Sequence, residues 1–192
     1  MTHQKDWSEY YNRTSKNPPN ALLIEAIPYV ANKNFAIDIG GGALKNTKYL
    51  LSLGFDVTVI DKSPQLKDLI LNIPNKKVHA FVTSYENFNF LIDSFDLAAA
   101  IYSLPFCAPE HFDKVIKQII SSLKTGGIFC GQLFGDRDEW FVNKDMTFHT
   151  EKQAKNLFKD VSIITFREEE RDSPTAKGVM KHWHVFNFIV RK

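Results

Sequence analysis

Cysteine is scarce in this chain of 192 residues. Cys107 and Cys130 are the only two, too few to staple a fold of this length. Their spacing matches no metal-ligating pattern, so each is expected to behave as a small buried hydrophobe. Long apolar runs are also missing: none reaches the roughly 20 residues of a membrane span. The opening segment, Met1-Thr2-His3-Gln4-Lys5-Asp6 and onward, never develops the apolar core of a secretory signal, so the cytoplasm is the expected compartment. Charge of one sign is missing too. The net charge is +2 and no basic stripe appears, which argues against nucleic-acid binding as the main activity. The densest acidic run, Glu168-Glu169-Glu170, is flanked by Arg167 and Arg171 and reads as a solvated loop. No repeat or low-complexity segment is visible. What remains, 44% apolar and 13% aromatic residues, suits one compact α/β domain with a full core.

The stretch Phe35 to Asp61 carries the first chemistry. Phe35-Ala36-Ile37-Asp38-Ile39 reads as a strand, Gly40-Gly41-Gly42-Ala43 as a turn, and Phe55-Asp56-Val57-Thr58-Val59-Ile60-Asp61 as a second strand after an intervening helix. A glycine turn lets backbone N–H groups approach a ligand at the N-terminus of that helix. Asp61 follows Gly40 by 21 residues, about where such βαβ units set a carboxylate on ribose hydroxyls. The unit therefore reads as a nucleoside site.

Along the rest of the chain, Asn20 can cap a helix whose apolar positions Leu22, Leu23, Ala26, Ile27 and Val30 share one face. A second helix is expected over Ala43 to Leu53, stopped by Gly54. Ser63 and Pro64 are expected to cap and start a third, which Pro74 ends. Val78 to Phe81 reads as a strand, and Ser94 to Ile101 as a buried parallel strand. Pro109 starts a helix with Phe112, Val115, Ile116, Ile119, Ile120 and Leu123 on one stripe, and Thr125-Gly126-Gly127 is expected to end it. Ile128 to Phe134 is the next strand. Thr150 and Gln153 form a capping box for a helix through Phe158. Val161 to Phe166 and His184 to Val190, separated by a long polar loop, are expected to pair as an antiparallel hairpin.

A Gly-x-Gly turn after a strand is shared by nicotinamide, flavin and S-adenosylmethionine proteins. Asp38 two places before Gly40, a length that leaves no room for an added substrate domain, and the closing hairpin favour the last. Here the chain resembles the class I S-adenosylmethionine-dependent methyltransferases. The matching segments are Ala36 to Gly42, Val59-Ile60-Asp61-Lys62-Ser63, Thr83-Ser84-Tyr85-Glu86-Asn87-Phe88, Phe95-Asp96-Leu97-Ala98, and Leu123-Lys124-Thr125-Gly126-Gly127. The resemblance implies a Rossmann-like α/β fold: a mostly parallel seven-stranded sheet in the order 3-2-1-4-5-7-6, with helices on both faces. It implies S-adenosylmethionine as cofactor and S-adenosylhomocysteine as product. Gly40 and Gly42 would line the methionine and ribose portion and Asp61 would bind both ribose hydroxyls. Asp38 would act near the methionine amino group, directly or by organising the turn. Lys62, Ser84, Tyr85 and Ala100 complete the expected cofactor contacts. Two departures stand out. Leu44 occupies the place of a frequent third glycine. Ser84 stands where an aspartate usually accepts the adenine amino group, leaving its hydroxyl or the Tyr85 backbone for that contact. More narrowly, Ser103 to Cys107, Gly131 to Trp140 and Lys181 to Phe186 are similar to segments of small bacterial methyltransferases grouped with the tellurite-resistance enzymes.

The ligand crevice of this fold lies beyond the carboxyl ends of strands one and four. An acceptor should therefore meet Tyr102, Ser103 and the segment after Phe134, under a lid made by the N-terminal aromatics Trp7, Tyr10 and Tyr11, or with those aromatics packed as a plain arm. The expected acceptor is a small molecule or metalloid oxyanion, on a monomer or homodimer, with no nucleic acid or membrane partner. Tyr11, Tyr102 and His182 are the candidate catalytic groups. His182 and His184 share a strand face, but no third ligand is set beside them, so no metal is expected. Asp136 and Asp138 are expected to be solvent-exposed. Two rival readings stay open: a module that binds an S-adenosyl ligand without catalysis, and a nicotinamide oxidoreductase. The second is weakened because its only Tyr-x-x-x-Lys pair, Tyr29 and Lys33, precedes strand one.

Overall fold

The computed structural model describes residues 11, 13–74 and 76–192. Trp7 and Tyr10, two of the three lid aromatics, lie outside the described residues. The strands are β1 (Phe35–Ile39), β2 (Asp56–Asp61), β3 (Val78–Val82), β4 (Phe95–Ala100), β5 (Leu123–Gly135), β6 (Phe148–His149), β7 (Ser162–Pro174) and β8 (Met180–Arg191). They form one sheet in the order β3-β2-β1-β4-β5-β8-β7, with β6 joined to β5. All pairings are parallel except β5 with β8 and β8 with β7. The sheet thus has the expected order with one strand more, because two-residue β6 continues along β5 past the end of β4 and shifts the numbering of the final hairpin.

Period-two alternation sorts the core onto both faces. Ile37, Ile39, Ala98, Phe129 and Phe188 pack with helix α4 (Pro109–Ser122) and with Ala154 of α5 (Glu151–Asn156). Ala36, Val57, Leu97, Ala99 and Ile189 pack with α1 (Ala21–Ala26) and α2 (Lys45–Ser52). Cys107 and Cys130 are free thiols wholly inside these two clusters. Burial pushes the Cys107 thiol up to about 12, so neither packing nor charge prepares it as a nucleophile. Local signals read from the sequence recur in detail. The Asn20 side chain accepts from the Leu22 N–H, Pro109 opens α4, and the Thr150–Gln153 capping box is complete.

Several boundaries differ from the sequence reading, each for a local reason. Helix α2 starts at Lys45 because Leu44 takes a left-handed φ of 62°. A glycine would adopt that conformation without strain; here burial of the leucine against Val59 and Leu66 compensates. The third helix, α3, is shorter and starts later (Leu66–Leu71), with no side-chain cap, and Ser63 instead turns its N–H to Asp61. Thr125-Gly126-Gly127 lies within β5: α4 ends at Ser122, and the Gly126 N–H donates to the Lys192 carbonyl while the Lys192 N–H donates to that of Gly127. The acidic run at Glu168 is strand, since β7 and β8 run on together to a tight connection at 175–179. No helix among the described residues is long and apolar enough to cross a membrane.

Candidate active site

The carboxyl ends of β1 and β2 converge on one carboxylate. The N–H groups of Gly40 and Gly41 donate to the Ile60 carbonyl at 2.8 and 3.1 Å, which folds the glycine turn onto the end of β2. The Gly42 N–H then donates to Asp61 Oδ2 at 2.9 Å. Asp61 Oδ1 accepts from the Ser63 N–H at 2.9 Å and from the Tyr11 hydroxyl at 3.1 Å. Gly40 has φ +74°, and a Cβ on it would sit 2.4 Å from Ser103 Cβ. Only glycine admits that approach. Ser103 is itself fixed, donating its hydroxyl to the Ile39 carbonyl at 2.6 Å.

Asp38 lies under this turn and is 1% exposed. Its Oδ2 accepts from the Thr47 hydroxyl of α2 at 2.6 Å, while Oδ1 has no partner. Burial chiefly, with the Asp61 charge added, pushes its carboxyl up to about 6, against the Thr47 hydrogen bonds and the Lys45 ammonium. Of the other expected cofactor residues, Lys62 is exposed beside Asp61. The Ser84 hydroxyl accepts from Asn87 Nδ2 at 3.1 Å, and the Tyr85 hydroxyl donates to the Ser103 carbonyl at 3.0 Å. Ala100 is fully buried at the end of β4, its carbonyl against Gly131 of β5.

On the β5 side the hairpin overhangs the sheet. The β5 pairing with β8 reaches Val185, and residues 180–184 continue paired to β7 alone. Tyr102, with a left-handed φ of 51°, donates its N–H to Gln132 Oε1 at 3.0 Å, and Gln132 Nε2 donates to Asn187 Oδ1 at 3.1 Å. The Tyr102 ring meets Phe134 and Trp183 at 6.4 and 6.1 Å, and its hydroxyl accepts from Arg171 at 3.3 Å. His182 lies on the opposite face of β8 from Trp183, between Asp172 at 2.8 Å and Glu170 at 3.0 Å. Those carboxylates push its imidazole up, toward the charged form. His184 shares that face and reaches Glu168 at 2.8 Å.

Asp138 is not solvent-exposed as expected. It is 3% exposed and joined to Lys181, itself 2% exposed, by two bonds of 2.5 Å. It also accepts from the Trp140 and His184 N–H groups. The Lys181 ammonium stands 3.8 Å from the Trp183 ring centre and 4.5 Å from that of Trp140. This pair, with Gln132, was missed from sequence. One signal was available: Lys181 alternates in register with Trp183 and Val185, so it belongs to an apolar strand face. A surface depression of about 540 Å³ lined by Phe90, Ile92, Lys114, Lys117, Gln118 and Ser121 flanks the amino end of β4, away from these groups.

Residues 36–127 match the family described as "Methyltransferase domain". No curated protein sequence matches the chain. Among solved structures, TehB from Haemophilus influenzae superposes with TM-score 0.78 at 18% identity, over 97% of this chain and 65% of its own. An S-adenosylmethionine-dependent methyltransferase from Methanosarcina mazei gives 0.69 at 22% identity, over 86% of this chain and 96% of its own. The 1,6-didemethyltoxoflavin-N1-methyltransferase of Burkholderia thailandensis, crystallised with 1,6-didemethyltoxoflavin and S-adenosylhomocysteine, gives 0.67 at 17% identity, over 96% of this chain and 81% of its own. The chain has the fold of the S-adenosylmethionine-dependent methyltransferases, and its residues 36–127 are similar to a methyltransferase domain.

Proposed function

We propose that this chain transfers the methyl group of S-adenosylmethionine to a small molecule, with the cofactor across the carboxyl ends of β1, β2 and β4 and the acceptor over β5 and the overhanging hairpin. The observation that carries the reading is the Asp61 carboxylate, held at the end of β2 by the N–H groups of Gly42 and Ser63. A fixed carboxylate presenting both oxygens suits a vicinal diol. The residues fit the rest of the cofactor as well. Gly40 keeps side chains out of the turn, and the unpartnered Asp38 Oδ1 gives that turn a buried acceptor facing no protein donor. Asp38 is a positioning residue in this reading, tying β1 to α2 through Thr47. Ser84 or the Tyr85 backbone takes the adenine, with Lys62 and Ala100 at the margin. That a structural neighbour was crystallised with S-adenosylhomocysteine and 1,6-didemethyltoxoflavin supports the assignment.

When bound, the cofactor supplies an electrophilic methyl group. The protein's own work is then alignment and the exclusion of water. Tyr11 is suited to the second task. It is 6% exposed, its hydroxyl rests on Asp61, and Arg13 Nη1 comes within 4.0 Å of a Cβ built on Gly178 at the hairpin tip. Tyr11 and Arg13 so reach toward β2 and the hairpin tip respectively, and in this reading they belong to a lid whose Tyr11 hydroxyl gives way to the ribose. Tyr102 is the acceptor-side group. His182, held between two carboxylates, is poorly suited to accept a proton. Calorimetry with S-adenosylhomocysteine, then with NAD, tests the reading. Saturable binding of the first alone is expected, and binding of the dinucleotide alone would overturn it.

A further inference from the structure

Five partly exposed aromatic residues, Tyr102, Phe106, Trp140, Phe148 and Trp183, surround the buried Phe134 at the carboxyl end of the sheet. Their rings are tilted or edge-on to one another. Trp183 meets Phe134 at 5.7 Å and 77°, and Trp140 at 5.6 Å and 55°. This wall is continuous with the glycine turn, because Tyr102 directly precedes the serine whose Cβ crowds Gly40. Whatever lies on the wall therefore lies beside the proposed cofactor position.

Charge decides what the wall accepts. Lys181, within the aromatic cluster, is already neutralised by Asp138. Arg171, at its edge, is bound to Glu169 at 2.6 Å and to the Tyr102 hydroxyl. Arg137, on the other face of the hairpin, is held by Glu168 and Glu170. An oxyanion docking here would shed its hydration and find these cations occupied, with carboxylates beside each. A flat uncharged ring instead gains stacking and apolar burial on Trp183, Trp140 and Tyr102.

We infer that the methyl acceptor is a planar aromatic molecule carrying no net negative charge, seated against Tyr102 and Trp183. This rests on the reading of the crevice proposed above. The acceptor's heteroatom lone pair forms the bond to the methyl carbon, the carbon–sulfur bond breaks with its pair left on sulfur, and the acceptor's proton passes to water. The expectation of a metalloid oxyanion, drawn from sequence, is set aside in this inference because, among the described residues, the cations Lys181, Arg171 and Arg137 are each paired with a carboxylate.

The test is calorimetry of the S-adenosylhomocysteine-loaded protein with 2-naphthol, quinolin-6-ol and sodium selenite. The two aromatic probes are expected to bind with Kd below about 1 mM and selenite not to bind. Trp183→Leu should weaken both aromatic probes at least about tenfold while its affinity for S-adenosylhomocysteine stays within about twofold. If that variant fails to bind S-adenosylhomocysteine, Tyr102→Ala gives the same reading at the other side of the wall. Binding of selenite in preference to the aromatic probes, or aromatic binding untouched by either substitution, would overturn the inference. Failure of the wild-type protein to take S-adenosylhomocysteine would instead overturn the cofactor reading beneath it.

Discussion

The Tyr11 hydroxyl donates to Asp61 Oδ1 at 3.1 Å, across 50 residues of sequence, and occupies a lone pair on the carboxylate assigned to the ribose. A diol arriving at Asp61 competes with it. Tyr11→Phe removes the competitor and keeps the ring, so S-adenosylhomocysteine should bind about two- to fivefold tighter, as loss of one modest hydrogen bond predicts. Calorimetry reads this directly, and weaker binding would mean that the hydroxyl serves the cofactor rather than displacing it.

At Gly40 the glycine turn closes tightly on Ser103. Gly40→Ala puts a methyl group on a residue with φ +74° and into Ser103 Cβ. The left-handed backbone alone costs about 1–2 kcal/mol, and the collision adds to it. Removing the collision with Ser103→Gly should recover only the second part, giving a favourable coupling of at least about 1 kcal/mol in a double-mutant cycle by urea unfolding. Simple additivity would show that the two residues do not touch.

Asp38 links stability to pH with an unusual sign. Its carboxyl is raised from the ordinary 3.8 to about 6 by burial, so the folded state holds the proton more tightly than the unfolded chain. That contribution is fully present below about pH 4 and is lost as pH rises through about 6. The difference is about 3 kcal/mol. Unfolding free energies of wild type and Asp38→Asn, compared at pH 4 and pH 7, should diverge by about this amount, with the wild type losing ground at the higher pH. Parallel curves would contradict the assignment.

The Asp138–Lys181 pair predicts asymmetric costs. Lys181→Met strands a buried carboxylate and should lower stability by about 3–5 kcal/mol, or the thermal midpoint by about 6–20 °C in a chain of this size. Adding Asp138→Asn should restore most of the loss, since the amide oxygen can still accept from the Trp140 and His184 N–H groups. A single variant as stable as wild type would mean that the pair is not buried in solution.

Sequence made the half of the molecule proposed to hold the nucleoside readable because its signals are local. Strand β1, the glycine turn, Asp61, the Pro109 helix start and the Thr150 cap each depend on a few neighbouring residues. The half proposed to face the acceptor depends on long-range charge. Arg167 to Pro174 reads as loop because its residues are polar. It is strand because Arg137 and the β8 histidines meet its carboxylates across the hairpin and across the sheet edge. Asp138 reads as surface for the same reason, and its burial depends on Lys181, which is buried with it. Leu44, in the place of a glycine, shows the reverse case, in which burial supports a backbone conformation that composition alone disfavours.

Calorimetric titration of wild type and Asp61→Ala with S-adenosylmethionine bears most directly on the cofactor assignment. Loss of two charge-assisted hydrogen bonds predicts at least about a 30-fold rise in Kd for the variant, with an unchanged far-ultraviolet dichroism spectrum. Full affinity in a folded Asp61→Ala protein would contradict the assignment of the ribose to the end of β2, and with it the crevice on which the proposed function rests.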